Sequence, residues 1–271
     1  MSNTLVTEKV KKISGKKLPE AKPARHSAGT EITGAQAVME ALVAENVTDF
    51  FGYPGGAIMP IYDALYDYMD ILNHILVRHE QGGIHAAQGY ARTSGEVGVV
   101  FATSGPGATN LVTGLADAQI DSTPLVCITG QVFAHLLGTD AFQETDVINI
   151  TTPITKWNYQ VTDATEIPGV LAKAFYIARS GRPGPVLIDI TKNAQVQKFN
   201  YPGYTPCNHV RSYRPKPNIR KEYITEAAAL INAAERPFVI FGQGVILGKA
   251  EKEFKNFIEI CSAINGVLKI S

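Results

Sequence analysis

Short apolar segments alternate with longer segments whose apolar positions recur at helical spacing, and this alternation runs from about Thr33 to Ile190. The short runs are typical of strands, and the amphipathic segments between them are typical of helices. Strands that alternate with helices of roughly 10 to 15 residues are joined by right-handed crossovers, which produce an open parallel sheet covered on both faces. The pattern therefore predicts an α/β fold with a doubly wound parallel sheet.

The predicted elements follow one another as pairs of strand and helix. Thr33 is predicted to cap a helix that runs through Ala44. The other helices are predicted over residues 57–69, from Glu80 onward, over 107–121 and over 166–180. The predicted strands are VTDFF, ILNHILV, GVVFAT, PLVCIT and PVLIDI. PLVCIT is continuously apolar, which is typical of a strand that is buried on both faces of a parallel sheet.

Composition divides the rest of the chain. Residues 1–29 carry seven Lys or Arg against two Glu and contain no apolar segment of the kind found in a secretory signal, so we predict a disordered basic tail. The alternating region predicts one domain over 30–200. A linker is predicted over 201–219, and the start of a second, incomplete α/β domain is predicted over 220–271.

Charge and cysteine content exclude several classes of protein. The 25 basic and 25 acidic residues cancel, which gives no indication of a nucleic-acid partner. No apolar run approaches the roughly 18 residues of a membrane span. The three cysteines are far apart, so neither a metal site nor a disulfide framework is predicted, and a reducing compartment, the cytoplasm, is expected.

Three loops rich in Gly and Pro follow predicted strands: FGYPGGA (51–57), TSGPGATN (103–110) and TGQV (129–132). Because parallel strands bind ligands beyond their carboxyl ends, these loops and Glu80 are expected at one edge of the sheet. Backbone without bulky side chains can lie close to a flat ligand. None of the loops matches a P-loop or a complete dinucleotide fingerprint. For any one of them, ordinary turn chemistry remains an alternative.

Longer motifs resemble one enzyme family. They are RHEQGG followed by GYARTSG, TSGPGATN, TGQV, GTDAFQE (138–144), TKWN (155–158) and GRPGPVLIDI (181–190). In this order they resemble the amino-terminal domain of acetohydroxyacid synthase, also called acetolactate synthase, the large catalytic subunit of a thiamine diphosphate enzyme. The resemblance implies thiamine diphosphate, Mg²⁺ and FAD as cofactors and pyruvate and 2-ketobutyrate as substrates. It also implies a homodimer or higher homo-oligomer with a small regulatory subunit.

The resemblance gives Glu80 its expected role. The family's glutamate at this position hydrogen-bonds N1′ of the cofactor's aminopyrimidine and exchanges a proton with it. A carboxylate is suited to this task because it can carry a proton in a site that excludes water, as well as accept a hydrogen bond. The alternative for a lone Glu is a solvated position on a helix surface.

Other site residues are implied only by the resemblance. Those expected near the pyrimidine are Tyr53, Pro54, Gly55, Pro106 and Asn110. Those expected to line the cavity for substrate and cofactor, with a catalytic role, are Phe142 and Gln143. Taken alone, Phe142 would more often be a core aromatic residue and Gln143 an exposed turn residue.

The resemblance also implies an FAD site and a substrate channel. The residues expected near the FAD are Arg182, Gly242, Gln243 and Gly244. The residues expected at the channel are Phe133 and Lys192. A solvated charge is the alternative for Arg182 and for Lys192, and a plain strand and turn is the alternative for the three residues 242–244.

The sequence departs from the family pattern at several places. Phe133 stands where proline is usual, and Lys192 lies in Thr-Lys-Asn where Pro-Lys-Asp is common. Gln88 stands where Glu is frequent. The family's third domain, which holds Mg²⁺ through a GDG signature, is not represented, because the 271 residues contain no Gly-Asp dipeptide. Two alternatives therefore stay open: a sister enzyme such as a catabolic acetolactate synthase or pyruvate oxidase, and a non-catalytic truncation product.

Overall fold

The computed structural model describes residues 24–235, 237–265 and 269–270. It divides the chain into two compact units, of which the larger ends at Pro215 and the smaller begins at Lys216. The first 23 residues of the predicted basic tail lie outside the described residues. Within the described part of the chain, no helix is long and apolar enough to cross a membrane.

The sheet of the large unit has six parallel strands in the order β3-β2-β4-β5-β7-β6. Its strands are β2 (Asp49–Gly52), β3 (Asn73–Leu76), β4 (Gly98–Ala102), β5 (Leu125–Gln131), β6 (Trp157–Val161) and β7 (Pro185–Thr191). A separate antiparallel pair joins β1 (Glu31–Thr33) to β8 (Lys198–Asn200). The order reverses direction beside β2 and β4, as a doubly wound sheet requires. The predicted fold class is confirmed.

Helices cover both faces of this sheet. They are α1 (Gly34–Ala44), α2 (Met59–Leu65), α3 (Glu80–Ser94), α4 (Pro106–Thr109), α5 (Val112–Ile120), α6 (Val147–Thr151), α7 (Ile167–Arg179) and α8 (Lys192–Val196). Thr33 caps α1, as the sequence predicted. It does so in a capping box with Gln36, which the sequence prediction did not include. Short 3₁₀ turns extend or connect the helices at Tyr66–Tyr68, Ala134–Leu136, Thr152–Ile154 and Ala164–Glu166.

Two apolar layers hold the helices to the sheet. One layer packs α1, α2 and α7 against side chains such as Phe50 and Phe101. The other packs α3 and α5 against Val100, Cys127 and Leu187. Every residue of β4, β5 and β7 is buried, which explains why their sequences are mostly apolar. This rigid sheet fixes the positions of the loops at its carboxyl edge.

The structure differs from the sequence prediction at β6 and along residues 107–121. No strand was predicted at β6, although WNYQV alternates apolar with polar residues as half-buried strands do, and its pairing with β7 makes it the edge strand. The predicted helix 107–121 is instead α4 and α5. The Leu111 N–H donates to the Ala108 carbonyl at 3.1 Å, a 3₁₀-type bond that interrupts the α-helical ladder.

Segments at both ends of the large unit dock on it. The N–H groups of Arg25 and His26 both donate to Glu40 Oε1 at 3.1 Å, within the region where the tail is predicted. In the predicted linker, the Tyr204 hydroxyl donates to Glu45 at 2.7 Å and Lys156 Nζ donates to the Tyr213 hydroxyl at 2.9 Å. The exact limits of tail and linker stay predictions.

In the residues that the structure describes, the small unit contains three helices and a short parallel pair of strands. They are α9 (Lys221–Ala233), β9 (Phe238–Val239), α10 (Gly244–Leu247), α11 (Glu251–Asn265) and β10 (Lys269–Ile270). Several of its large apolar side chains are exposed, among them Phe238, Ile240 and Phe241. This unit therefore presents exposed apolar surface.

Candidate active site

The carboxyl ends of the parallel strands bring the predicted loops to one edge of the sheet. Tyr53 to Gly55 follow β2, Thr103 follows β4, and Phe133 lies two residues beyond β5. Lys192 begins α8 directly after β7. The order of the strands, which places β2 beside both β3 and β4, puts the loops after these three strands next to one another.

Glu80 is the first residue of α3 and is only 7% exposed. His79 caps the helix, because its Nδ1 accepts a hydrogen bond from the Gln81 N–H at 3.2 Å. A carboxylate in the first helical turn is stabilised by the helix dipole. Glu80 is therefore held at the sheet edge as a largely buried acid.

Asn110 orients the Glu80 carboxylate. Asn110 Nδ2 donates to Glu80 Oε2 at 2.9 Å, across the break between α4 and α5. Among the described residues, this is the hydrogen bond given for the Glu80 carboxylate, and it leaves Oε1 free. A buried carboxylate with one free oxygen is suited to bind a donor on a ligand.

Glycines let the backbone approach this carboxylate closely. A Cβ on Gly107 would lie 3.2 Å from Glu80 Oε1 and 2.8 Å from the Thr103 side chain. Gly105 has φ of +58°, and a Cβ there would lie 2.7 Å from the Gln143 carbonyl oxygen. Residues other than glycine would therefore push apart the loops that surround Glu80.

Tyr62 and His74 lie behind the carboxyl end of β2. The Tyr62 hydroxyl and His74 Nε2 are 3.3 Å apart, and Nε2 is 3.2 Å from the Gly52 carbonyl oxygen. Burial, together with the charge of Glu80, raises the pKa of Tyr62 well above its usual value. Burial lowers the pKa of His74. Both side chains are thus kept neutral beside the loop that begins at Tyr53.

A network of loop contacts connects the predicted channel residues to the same edge. Lys192 Nζ donates to the Gly56 carbonyl at 3.2 Å and lies 5.9 Å from the centre of the Phe133 ring. The Thr103 hydroxyl accepts from the Ala57 N–H at 3.2 Å. The loops after β2, β4, β5 and β7 are therefore tied to one another.

The GTDAFQE loop approaches the site from the side of Gly105. Phe142 is 88% exposed, and Gln143 has φ of +60° with its backbone against Gly105. Phe142 is therefore not a core aromatic residue. It is available to contact a ligand at this edge.

Of the residues predicted near FAD, Arg182 lies away from the edge of the sheet that holds Glu80. Arg182 precedes β7, at the opposite end of the strands, where its guanidinium donates to Ser122 Oγ at 2.7 Å and to the Ile120 carbonyl at 2.8 Å. Gly242, Gln243 and Gly244 belong to the small unit, where a Cβ on either glycine would have no atom within 4 Å. Their role toward FAD stays a prediction.

The sequence prediction did not include Asp189, which is fully buried on β7. Its carboxyl oxygens accept from Thr129 Oγ1 at 2.7 Å, Gln160 Nε2 at 2.9 Å and Gln131 Nε2 at 3.1 Å. Burial raises the pKa of Asp189 to about 6, although these donors act in the opposite direction. The acidic residue inside the apolar run PVLIDI is the sequence signal that could have identified it.

The raised pKa of Asp189 leads us to expect that the stability of the fold depends on pH. Because its folded-state pKa of about 6 exceeds the ordinary 3.8, its contribution to the unfolding free energy is greatest below pH about 4 and is lost as pH rises through about 6. The loss amounts to roughly 3 kcal/mol. Urea unfolding followed by the fluorescence of Trp157, on the neighbouring strand, measures it. The difference in unfolding free energy between wild type and Asp189→Asn should change by this amount between pH 4 and 7, and a constant difference would contradict the expectation.

Residues 32–150, which contain Glu80, Asn110 and the glycine loops, match the thiamine pyrophosphate enzyme, N-terminal TPP binding domain family. Over this stretch the chain is similar to the thiamine pyrophosphate enzymes. The thiamine pyrophosphate domain thus includes α3 and the loops after β2, β3, β4 and β5.

Curated relatives extend the similarity beyond the thiamine pyrophosphate domain. The acetolactate synthase large subunit of Pyropia yezoensis is 46% identical over 240 residues, which are 88% of this chain and 41% of the relative. Those of Mycobacterium tuberculosis and Corynebacterium glutamicum are 51% and 49% identical over 85% and 87% of this chain and 37% of each relative. The family resemblance of the motifs is confirmed. The chain spans about two fifths of the length of these relatives.

Proposed function

We propose that this chain provides the pyrimidine-binding half of an acetolactate synthase active site. The full-length enzyme would decarboxylate pyruvate on thiamine diphosphate and join the remaining two-carbon unit to a second 2-ketoacid. The product would be 2-acetolactate or 2-aceto-2-hydroxybutyrate, in the first common step of branched-chain amino acid biosynthesis. The observation that carries the proposal is the buried Glu80 carboxylate, which has a free oxygen at a sheet edge formed of glycine-rich loops.

The residues around Glu80 fit an aminopyrimidine. When bound, thiamine diphosphate supplies the electron sink that decarboxylation of a 2-ketoacid requires. Glu80 Oε1 would hold the proton at N1′ of the pyrimidine, and Asn110 would keep the carboxylate turned toward it. Tyr53, Pro54, Gly55 and Pro106 would form the backbone that lies against the ring. Low exposure of Glu80 would exclude water from this proton transfer.

The substrate side of the site would be formed by the adjacent loops. Phe142 and Gln143 would contact the substrate and the reacting atoms. Phe133 and Lys192 would form the wall of the entry channel, because Lys192 Nζ lies over the Phe133 ring and donates to the Gly56 carbonyl.

Further features of the proposal come from the family resemblance. Mg²⁺ would bridge the cofactor's diphosphate to the third domain of a full-length enzyme. FAD would have a mainly structural role, and the resemblance implies Arg182 and, separately, residues 242–244 as residues for it. The enzyme would be a cytoplasmic homodimer or higher homo-oligomer with a small regulatory subunit, and 2-ketobutyrate would be the alternative second substrate.

Replacement of Glu80 by Gln in a full-length protein, assayed by acetolactate formation, tests the proposed activity. The FAD content of the same purified protein separates it from a catabolic acetolactate synthase, which lacks FAD in the family. Flavin absorbance after denaturation would measure that content.

Because Phe133 stands where proline is usual, we expect an altered response to inhibitors. Sulfonylureas bind in the channel of relatives, and the exposed Phe133 ring would narrow the wall where proline is usual. We expect inhibition of the full-length enzyme to be weaker than that of its Phe133→Pro variant, on the order of tenfold, which corresponds to about 1.4 kcal/mol of binding. The measurement is the inhibition constant of each protein under saturating cofactor. Equal constants would place Phe133 away from the channel.

A further inference from the structure

The loop over residues 138–144 folds around the carboxylate of its own last residue, Glu144. Glu144 Oε1 accepts a hydrogen bond from the Gly138 N–H, and Oε2 accepts from the Thr139 N–H at 3.2 Å and the Ala141 N–H at 3.3 Å. The Glu144 N–H donates back to the Ala141 carbonyl at 2.9 Å. Bonds from backbone N–H groups to an ionised carboxylate are stronger than those between neutral groups. The carboxylate therefore closes the loop into a turn.

This turn needs such support because its backbone is strained. Asp140 and Gln143 have φ of +56° and +60°, and Gly138 has φ of +77°. Non-glycine residues adopt this left-handed region at a cost, and they persist there when surrounding contacts fix the conformation. The Glu144 carboxylate provides contacts on both sides of Asp140.

The turn is anchored to the buried sheet directly after Glu144. Gln131 Nε2 donates to the Thr145 carbonyl at 3.0 Å and to Asp189 Oδ2 at 3.1 Å. The turn also places the Gln143 backbone against Gly105. A change inside the turn would therefore move Phe142 and Gln143 relative to the loop beside Glu80, while the anchor at Thr145 stays in place.

We infer that Glu144 is a positioning residue that sets the placement of Phe142 and Gln143 at the active-site edge. The inference rests on the proposed function for the effect on catalysis, and on the contacts within the turn for the effect on the loop. The Glu144 carboxylate is directed to backbone N–H groups of its own loop. Glu144 therefore acts through the two residues that precede it.

Chymotrypsin cleavage tests the effect on the loop without any assay of activity. Phe142 is 88% exposed, and the closed turn would keep its peptide bond from the extended form that a protease binds. In the full-length protein, Glu144→Ala should be cleaved after Phe142 at a rate on the order of tenfold above wild type. Cleavage at the exposed Tyr66 provides an internal reference. Asp140→Asn is the matched control, because it removes a charge from the same loop without removing a side-chain bond among the described residues.

Steady-state kinetics tests the effect on catalysis. Glu144→Ala should lower kcat/KM for pyruvate on the order of 10- to 100-fold, since misplacement of contacting groups by about 1 Å has effects of this size. Glu144→Gln, which keeps one acceptor oxygen, should retain more activity than Glu144→Ala. Thiamine diphosphate affinity and thermal stability should stay near those of wild type in both variants.

Two results would overturn the inference. One is equal cleavage after Phe142 in wild type and Glu144→Ala. The other is a parallel loss of cofactor affinity and thermal stability, which would indicate a general structural role. A wild-type full-length protein that forms no acetolactate would instead contradict the proposed function, and the cleavage comparison would still decide the role of Glu144 in the loop.

Discussion

Replacement of Glu80 by Gln in a full-length enzyme should lower turnover by a factor on the order of 10² to 10⁴, the range expected for loss of general acid or base catalysis. Glutamine keeps the size of the side chain and can still accept the Asn110 hydrogen bond. It cannot exchange a proton with a ring nitrogen at neutral pH. The change therefore removes proton transfer and leaves the packing at the start of α3 intact.

The acetolactate assay of the purified variant measures this effect, with calorimetry to confirm that thiamine diphosphate still binds. Glu96→Gln is the matched control, because Glu96 is an exposed glutamate just beyond the end of the same helix. It should retain wild-type turnover. Wild-type turnover in Glu80→Gln would refute the assignment of Glu80.

A polypeptide limited to these 271 residues should form no acetolactate. In the family, the cofactor lies between the glutamate domain of one subunit and the diphosphate domain of its partner. Within the described part of this chain, no group of three or more His, Cys, Asp or Glu is arranged to hold a metal ion. A hydrogen bond from the ligand to Glu80, worth about 1.5 to 3 kcal/mol, cannot replace a diphosphate bound through Mg²⁺.

Calorimetry with thiamine diphosphate and Mg²⁺, together with a colorimetric acetolactate assay, tests this second expectation. The exposed Phe238, Ile240 and Phe241 also lead us to expect self-association of this polypeptide, which sedimentation would detect. A full-length protein assayed beside it is the positive control. Micromolar cofactor binding or any turnover of the short polypeptide above background would contradict the account of the diphosphate site.

Local sequence signals were sufficient for much of the fold. The cap at Thr33, the continuously apolar β5 and the sharp change from strand to helix at Glu80 depend on residues close in the chain, and each was predicted where the structure has it. The strand at Trp157–Val161 was missed, although its alternation of apolar and polar residues is typical of a half-exposed strand. Only its position at the edge of the sheet depends on pairing with β7, a segment distant in sequence.

The active-site geometry was less accessible from sequence. The motifs identified Glu80 and Asn110 separately, but their hydrogen bond joins residues 30 positions apart. The GTDAFQE motif drew attention to Phe142 and Gln143, whereas the carboxylate that folds their loop is the next residue, Glu144. A sequence pattern shows which residue types are present, and it does not show which backbone groups they bond.

By itself, the sequence determined the α/β class, the alternating order of strands and helices, the glycine-rich loops and the family model that residues 32–150 match. These depend on periodicity and on short motifs, which are local properties. Only the tertiary structure decided that the loops after β2, β4, β5 and β7 contact one another, that Arg182 lies at the far end of the strands, and that Asp189 is buried with a raised pKa. Those features depend on which distant segments pack together, because burial, hydrogen bonding and charge are set by neighbours in space.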